Sequence, residues 1–309
     1  MKQLILIGIL FVVSVFAKDV LAGNAPKAYP KGGLGEVVKL GEDILINTST
    51  HRLTKEYVGN TLSCTSCHIV GVDGKPGSSL GQSTFIKTAI SFPAYSAREK
   101  TVVTLEDRSN NCFMRSMAGK KLPSGSEAST AIATYITWLS TGFAINMNEK
   151  GPWAPSNQKT WLAGQAKFAK IQKKATNKNY LAGKKIYEDK CAACHDLDGK
   201  GVDPLGPALW GFDESGRSLS YNTGAGLSKL NKVPVWIQSN MPKYIEGSLS
   251  DQEAADVGLY IVAQPRADFD LQKGLEGVNA PYNSKVLSEK HSVKSNFEAF
   301  GLDLDKIKK

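Results

Sequence analysis

The chain has 309 residues, enough for two domains of ordinary size. Hydrophobic residues make up 41% of it, so a sizeable core can form and wholesale disorder is excluded. The formal net charge is +9, but the lysines and arginines are scattered without a long basic block, which argues against nucleic-acid binding.

Met1 and Lys2 precede a mostly apolar run from Leu4 to Ala17. That run is too short to span a bilayer and has the length of a signal-peptide core. Cleavage is read after Ala22, with Ala17 as the alternative and an uncleaved anchor as the remaining one. On any of these readings the rest of the chain is exported, to the periplasm, and no second stretch is long and apolar enough to cross a membrane. The segment 23–35, rich in Gly, Pro and Lys, is expected to wrap loosely over the surface.

A helix is expected around Gly41 and Ile44-Leu45, before Cys64-Thr65-Ser66-Cys67-His68. The same order recurs with Gly183 and Ile186-Tyr187 before Cys191-Ala192-Ala193-Cys194-His195. After each motif a further helix is announced by a capping-box pattern, Ser124-x-x-Glu127 and Ser250-x-x-Glu253. The first of these helices carries Ile132, Tyr135, Ile136 and Leu139 at helical spacing, and Gly142 can end it. The second carries Val257, Tyr260 and Ile261. His68 and Tyr135 are 67 residues apart, and His195 and Tyr260 are 65 apart. The chain therefore reads as two copies of one unit. The units are 23–149 and 179–265, joined by a connector over 150–178. Residues 266–309 form a tail expected to pack as far as about Tyr282 and to fray beyond.

C-x-x-C-H in an exported protein reads as covalent attachment of haem c. The two thiols lie on one side of a helical turn, where they can reach the two vinyl groups. The adjacent histidine places a nitrogen beneath the iron. A zinc knuckle, a redox dithiol and a disulfide are the other readings; zinc would not ask for a His after each pair. Two motifs imply two haem c groups, held by Cys64 and Cys67 with His68, and by Cys191 and Cys194 with His195. The expected fold is mainly α, with two tandem domains resembling class I cytochrome c. Gly206-Pro207-Ala208-Leu209-Trp210-Gly211 and the Asn240-Met241-Pro242 loop strengthen that resemblance.

The distal ligand sets the chemistry of each iron. Met241, 46 residues after His195, is assigned to the second, with Lys243 or Lys232 as minor alternatives. For the first, Met114 stands 46 residues after His68, Cys112 stands 44 after and Met117 stands 49 after, so spacing leaves the choice open. Cys112 is the cysteine left over after both motifs, and an idle thiol is a liability in an oxidising compartment. Its alternative role is that of a small buried hydrophobe.

The stretch Phe92 to Arg98, then Thr104 to Arg108, then Asn111-Cys112-Phe113-Met114-Arg115-Ser116, closely resembles the first haem domain of thiosulfate dehydrogenases. Tyr57 to Leu62 and Pro265 to Phe269 are also similar to that family, and the likeness runs from about Gly41 to Tyr282. These are dihaem enzymes that interconvert thiosulfate and tetrathionate. The resemblance implies that Cys112 is the distal ligand of the active-site haem and that Arg98, Arg108 and Ser116 line the anion pocket. Arg115 is assigned to solvent or to a propionate. Asn240 departs from members with a lysine beside the second methionine.

Two unit charges 4 Å apart repel by about 4 kcal/mol at an effective dielectric near 20, so two dianions repel on the order of 10 kcal/mol. Fixed guanidinium forks offset this without reorganising. The expected partners are thiosulfate, tetrathionate and a periplasmic cytochrome or other redox protein. The competing functions are a dihaem electron carrier with Met114 on the first iron, a dihaem peroxidase, and a sulfur-oxidation subunit. His51 is placed at the surface, His291 in the tail, and Trp138, Trp153, Trp161 and Trp236 in core or haem packing.

Overall fold

The computed structural model describes residues 28–147, 158–276 and 286–309. The expected export signal with Ala17 and Ala22, part of the connector, Trp153 and Tyr282 lie outside those residues. In chain order the elements are α1 (Gly32–Ile46), β1 (Ala94–Ser96), β2 (Thr101–Val103), α2 (Leu105–Arg115) and α3 (Glu127–Leu139). Then come α4 (Gln158–Gln172), α5 (Asn177–Lys190), α6 (Ala192–His195), α7 (Val233–Asn240) and α8 (Asp251–Val262). Last are β3 (Phe269–Asp270), α9 (Leu271–Gly274), β4 (Lys290–His291), α10 (Val293–Glu298) and α11 (Leu304–Lys308). The protein is mainly helical. Among the described residues, four short strands pair as two antiparallel ribbons, β1 with β2 and β3 with β4.

Each unit is built on the crossing of its first and last helices, and a glycine sets each crossing. A Cβ at Gly41 of α1 would lie 2.2 Å from the Ala131 carbonyl oxygen and 2.8 Å from Tyr135 Cβ on α3. A Cβ at Gly183 of α5 would lie 2.0 Å from the Asp256 carbonyl oxygen and 3.1 Å from Tyr260 Cβ on α8. Only hydrogen fits at either point, so the helices close directly on each other. The duplication read from the spacing is thus matched in packing. Val38, Ile44 and Leu45 meet Ile132, Tyr135, Ile136 and Leu139 in one core. Tyr187 meets Trp210, Val257, Tyr260 and Ile261 in the other.

The capping boxes fare unequally. Ser250 accepts from the Glu253 amide while Glu253 reaches back to the Ser250 amide, as expected. In the first unit the cap is Ser126, whose hydroxyl accepts from Ser129 N, and not Ser124. Gly125, at φ +75°, turns the chain between them, and its amide is taken by Glu106.

Other expectations give way to packing. Residues 32–35 already belong to α1, and Tyr29 stacks on Trp138 at 4.9 Å, so the end of the Gly/Pro segment is docked. The connector holds α4, whose Phe168 is fully buried and whose Gln172 donates to the Ala255 carbonyl at 2.8 Å. From residue 286 onward the tail is packed and does not fray. Phe297 and Ile307, on short capped helices, and Leu302 between them join the second core. Such helices are too brief to show a period in sequence. Among the described residues no helix is long and apolar enough to cross a membrane.

The two units interlock. Tyr221, Ala225 and Leu227 of the second pack into the first core. Asn222 donates to the Met114 carbonyl at 2.8 Å, and Arg217 to the Asn60 carbonyl at 2.6 Å.

Candidate functional site

The first motif begins as a tight turn over Cys64–Ser66, with Ser63 and Ser66 capping it reciprocally. Thr48, in the turn just after α1, holds Cys64: its hydroxyl accepts from the Cys64 amide at 3.0 Å and lies 3.3 Å from the thiol sulfur. Burial pushes the Cys64 and Cys67 thiols up to about 12. His68 sets Nδ1 2.8 Å from the Ser83 carbonyl oxygen, and Phe85 stacks on the ring at 3.9 Å. With Nδ1 donating to that carbonyl, Nε2 is the nitrogen left to face a metal.

Across from His68 stands α2, started by a Thr104–Asp107 capping box. One turn apart on its face, Arg108 Nη1 lies 3.1 Å from Cys112 Sγ. Burial alone would raise the Cys112 thiol, but Arg108 and His68 outweigh it and pull its pKa down to about 6. Cys64, Cys67, His68, Arg108, Cys112 and Ser116 line one cavity of about 250 Å³. Asn60 fixes the end of α2 by donating to the Ser116 carbonyl at 2.8 Å.

Met117 also lines the cavity, whereas Met114 points away from it, buried against Phe269, Leu271 and Gly274. Arg98 stands outside the cavity wall, exposed in the turn after β1 and 3.6 Å from Glu99. Arg108, Cys112 and Ser116 line the cavity together; Arg98 is not among its lining residues, but its charge acts on Arg108, Arg115 and Lys232. Arg115 meets neither solvent nor the cavity. It is 2% exposed, its two terminal nitrogens pair with Glu289 at 3.0 and 2.8 Å, and its guanidinium lies 4.2 Å from the Phe269 ring centroid.

The second motif caps α5 and forms α6. His195 repeats the geometry of His68, with Nδ1 2.8 Å from the Pro207 carbonyl oxygen. Burial lowers its pKa, which keeps the imidazole neutral and able to ligate. Tyr187 bonds the His195 and Asp196 carbonyls at 3.2 and 2.6 Å. Met241 follows α7 directly and packs, partly buried, against the second core. Lys243 lies over the Tyr244 ring. None of the five cysteines is in a disulfide, and among the described residues no three His, Cys, Asp or Glu groups cluster to hold a metal ion. Two thiols and one oriented imidazole per motif are the donor set that a covalent haem c requires.

Sequence reasoning missed what the second unit contributes to the first cavity. Gly226, Leu227 and Trp236 line it, as does Trp161. Lys232 stands one turn before Trp236 on the same face of α7. Burial, then repulsion from Arg98, Arg108 and Arg115, lower its pKa to about 8. Lys229 is held down to about 7 by burial and Arg115, while its ammonium bonds the Thr223 carbonyl and Asn296. The signal available was the i, i+4 pair Lys232 and Trp236, which sequence alone could not place against the other unit. His51 is bound locally, 3.4 Å from Asp43 and accepting from the Leu53 amide, and His291 pairs with Glu289.

Residues 54–145 match the family described as SoxA/TsdA, cytochrome c domain, and residues 180–264 match the family described as Cytochrome c. A thiosulfate dehydrogenase of Thiomonas intermedia is 35% identical over 243 residues, 77% of this chain and 69% of that protein. One of Allochromatium vinosum is 32% identical over 250 residues, 79% of this chain and 84% of the other. Among solved structures, the thiosulfate dehydrogenase (TsdBA) from Marichromatium purpuratum in its as-isolated form superposes with a TM-score of 0.62 at 27% identity. That match covers 86% of this chain and 56% of the length of the other.

Proposed function

The chain belongs to the SoxA/TsdA cytochrome c family of thiosulfate dehydrogenases, and from this we propose that it couples two thiosulfates into tetrathionate, or runs the reverse reduction. The observation that carries the reading is the Cys112 thiol, 3.1 Å from Arg108 and facing His68 in one cavity. Unit 23–149 does the sulfur chemistry in this proposal, and unit 179–265 passes electrons to a periplasmic redox partner after export of the chain.

Cys64, Cys67 and His68 would hold the first haem c with Cys112 opposite, and Cys191, Cys194 and His195 the second with Met241 opposite. When bound, the two groups would take up the two electrons that the coupling releases, one each. Arg108 and Lys232 neutralise the sulfonates as the dianions approach, with Arg98 and Ser116 completing the anion site. The Cys112 thiolate forms an S–S bond to the sulfane sulfur of one thiosulfate, and two electrons leave. The second thiosulfate attacks that same sulfur, Cys112 departs as thiolate, and tetrathionate is released. Atoms and charge balance at both steps.

A carrier with Met114 on the first iron draws no support from a Met114 packed under Gly274. Low-temperature EPR of the oxidised holoprotein tests the proposal. One His/thiolate and one His/Met low-spin signal are expected; two His/Met signals would refute it. A steady-state assay with thiosulfate and an artificial acceptor then checks for tetrathionate.

A further inference from the structure

A loop of the first unit and the end of α7 in the second meet behind the first histidine. Ser83, whose carbonyl faces His68 Nδ1 at 2.8 Å, is 4% exposed. Its hydroxyl donates to Asn240 Oδ1 at 3.3 Å, across 157 residues of chain. Asn240 is 2% exposed and donates through Nδ2 to the Trp236 carbonyl at 2.8 Å and to Ser239 Oγ at 2.9 Å. Every polar atom of its amide is therefore directed. Gly81 permits the approach, since a Cβ there would stand 3.1 Å from Asn240 Oδ1, at φ +144°. Neither Ser83 nor Asn240 has a part in the sulfur chemistry.

We propose that Ser83 and Asn240 form an inter-unit strut that holds the carbonyl acceptor on His68 and so sets the reduction potential of the first haem. This rests on the haem-attachment reading above. A firm N–H···O=C bond behind an iron-ligating imidazole raises its basicity and favours the oxidised metal. Loosening the acceptor weakens that donation and raises the potential. Asn240 is a positioning residue here, since it acts through Ser83. The role needs an acceptor that a lysine at this position cannot supply. The strut also ends one residue before Met241, so the loop presenting the second distal ligand is braced against the first proximal one.

The test is a spectroelectrochemical titration of the holoprotein, with the two haems told apart by EPR, in wild type, Ser83→Ala, Asn240→Leu and the double variant. Ser83→Ala removes one oxygen and keeps the backbone acceptor, so it reports even where Asn240→Leu fails to fold. Each single variant should raise the first midpoint by the equivalent of a three- to tenfold change in its reduction equilibrium, roughly 30–60 mV for one electron. The double variant should go no further than the larger single. A first midpoint unmoved in Ser83→Ala, a shift confined to the second haem, or full additivity overturns the strut. Absence of haem at His68 in the wild type would instead overturn the attachment reading, before any variant is compared.

Discussion

Replacing Lys232 by methionine should weaken thiosulfate binding and remove the lysine's share of its alkaline pH dependence. The Lys232 ammonium is held from 10.5 down to about 8 by burial and by Arg98, Arg108 and Arg115. That depression corresponds to about 3 kcal/mol against the charged form. A bound dianion supplies the missing counter-charge and returns the pKa toward that of an ordinary lysine. Below pH 8 the ammonium is protonated with or without ligand, so affinity is flat. Above it the free site has lost a proton that the complex keeps, so binding takes up a proton and affinity falls. The limit is about tenfold per pH unit until the ordinary lysine range near 10.5. Partial solvent access trims the whole effect to roughly ten- to a hundredfold. Lys229, centred near 7, titrates in every variant and cancels in the ratios. The assay is the apparent dissociation constant of thiosulfate, read from the haem spectrum between pH 6.5 and 10. Lys232→Met should bind about tenfold or more weakly at pH 7, and that deficit relative to wild type should shrink as the pH rises from 8 to 10. Lys232→Arg should bind tightly throughout. Parallel pH profiles for wild type and Lys232→Met would refute the reasoning.

Cys112→Ala should abolish thiosulfate turnover while both haems stay attached, seen as an unchanged haem stain after denaturing electrophoresis; full activity would remove the thiol from the mechanism. Glu289→Gln leaves the buried Arg115 unpaired and should cost about 3–5 kcal/mol, read as a lower Tm. In the wild type, burial opposes ionisation of Glu289, but His291 and Arg115 hold its carboxyl well below the usual range. Its contribution is present above pH ~4.5 and is lost as pH falls further, and Glu289→Gln should abolish that part of the acid-induced drop in Tm. Gly183→Val drives a branched carbon into the Asp256 carbonyl and should destabilise the second unit by about 3 kcal/mol or more in thermal unfolding. Gly41→Val should do the same in the first unit, and an unchanged Tm in either would contradict the crossing geometry.

The parts of this fold legible in sequence are those encoded locally. Both C-x-x-C-H turns, the helices bearing Tyr135 and Tyr260, and the Ser250–Glu253 box follow from spacing over a few residues. Ser124 was a plausible cap because its pattern matches; Ser126 prevails because Gly125 turns the chain first. Spacing treats Cys112, Met114 and Met117 alike; tertiary contact turns only Met114 away from the cavity, because it finds its cover in Phe269, Leu271 and Gly274, far along the chain. Arg115 looked like a site residue because its neighbours are, yet its partner Glu289 lies 174 residues away. Trp236 was legible as core or haem packing and Lys232 as a minor ligand of the second iron, but their place beside the first unit was not, for the same reason.

The two copies are not equivalent beads on a string. Trp236 belongs to the core of the second and to the wall of the first cavity, and Leu227 closes the same wall. One copy is the chamber, and the other supplies part of its door. A first unit expressed by itself would lack the stretch of cavity wall that Gly226, Leu227 and Trp236 supply. Changes at Leu227 or Trp236 in the second copy would therefore be felt first in a cavity that is not its own.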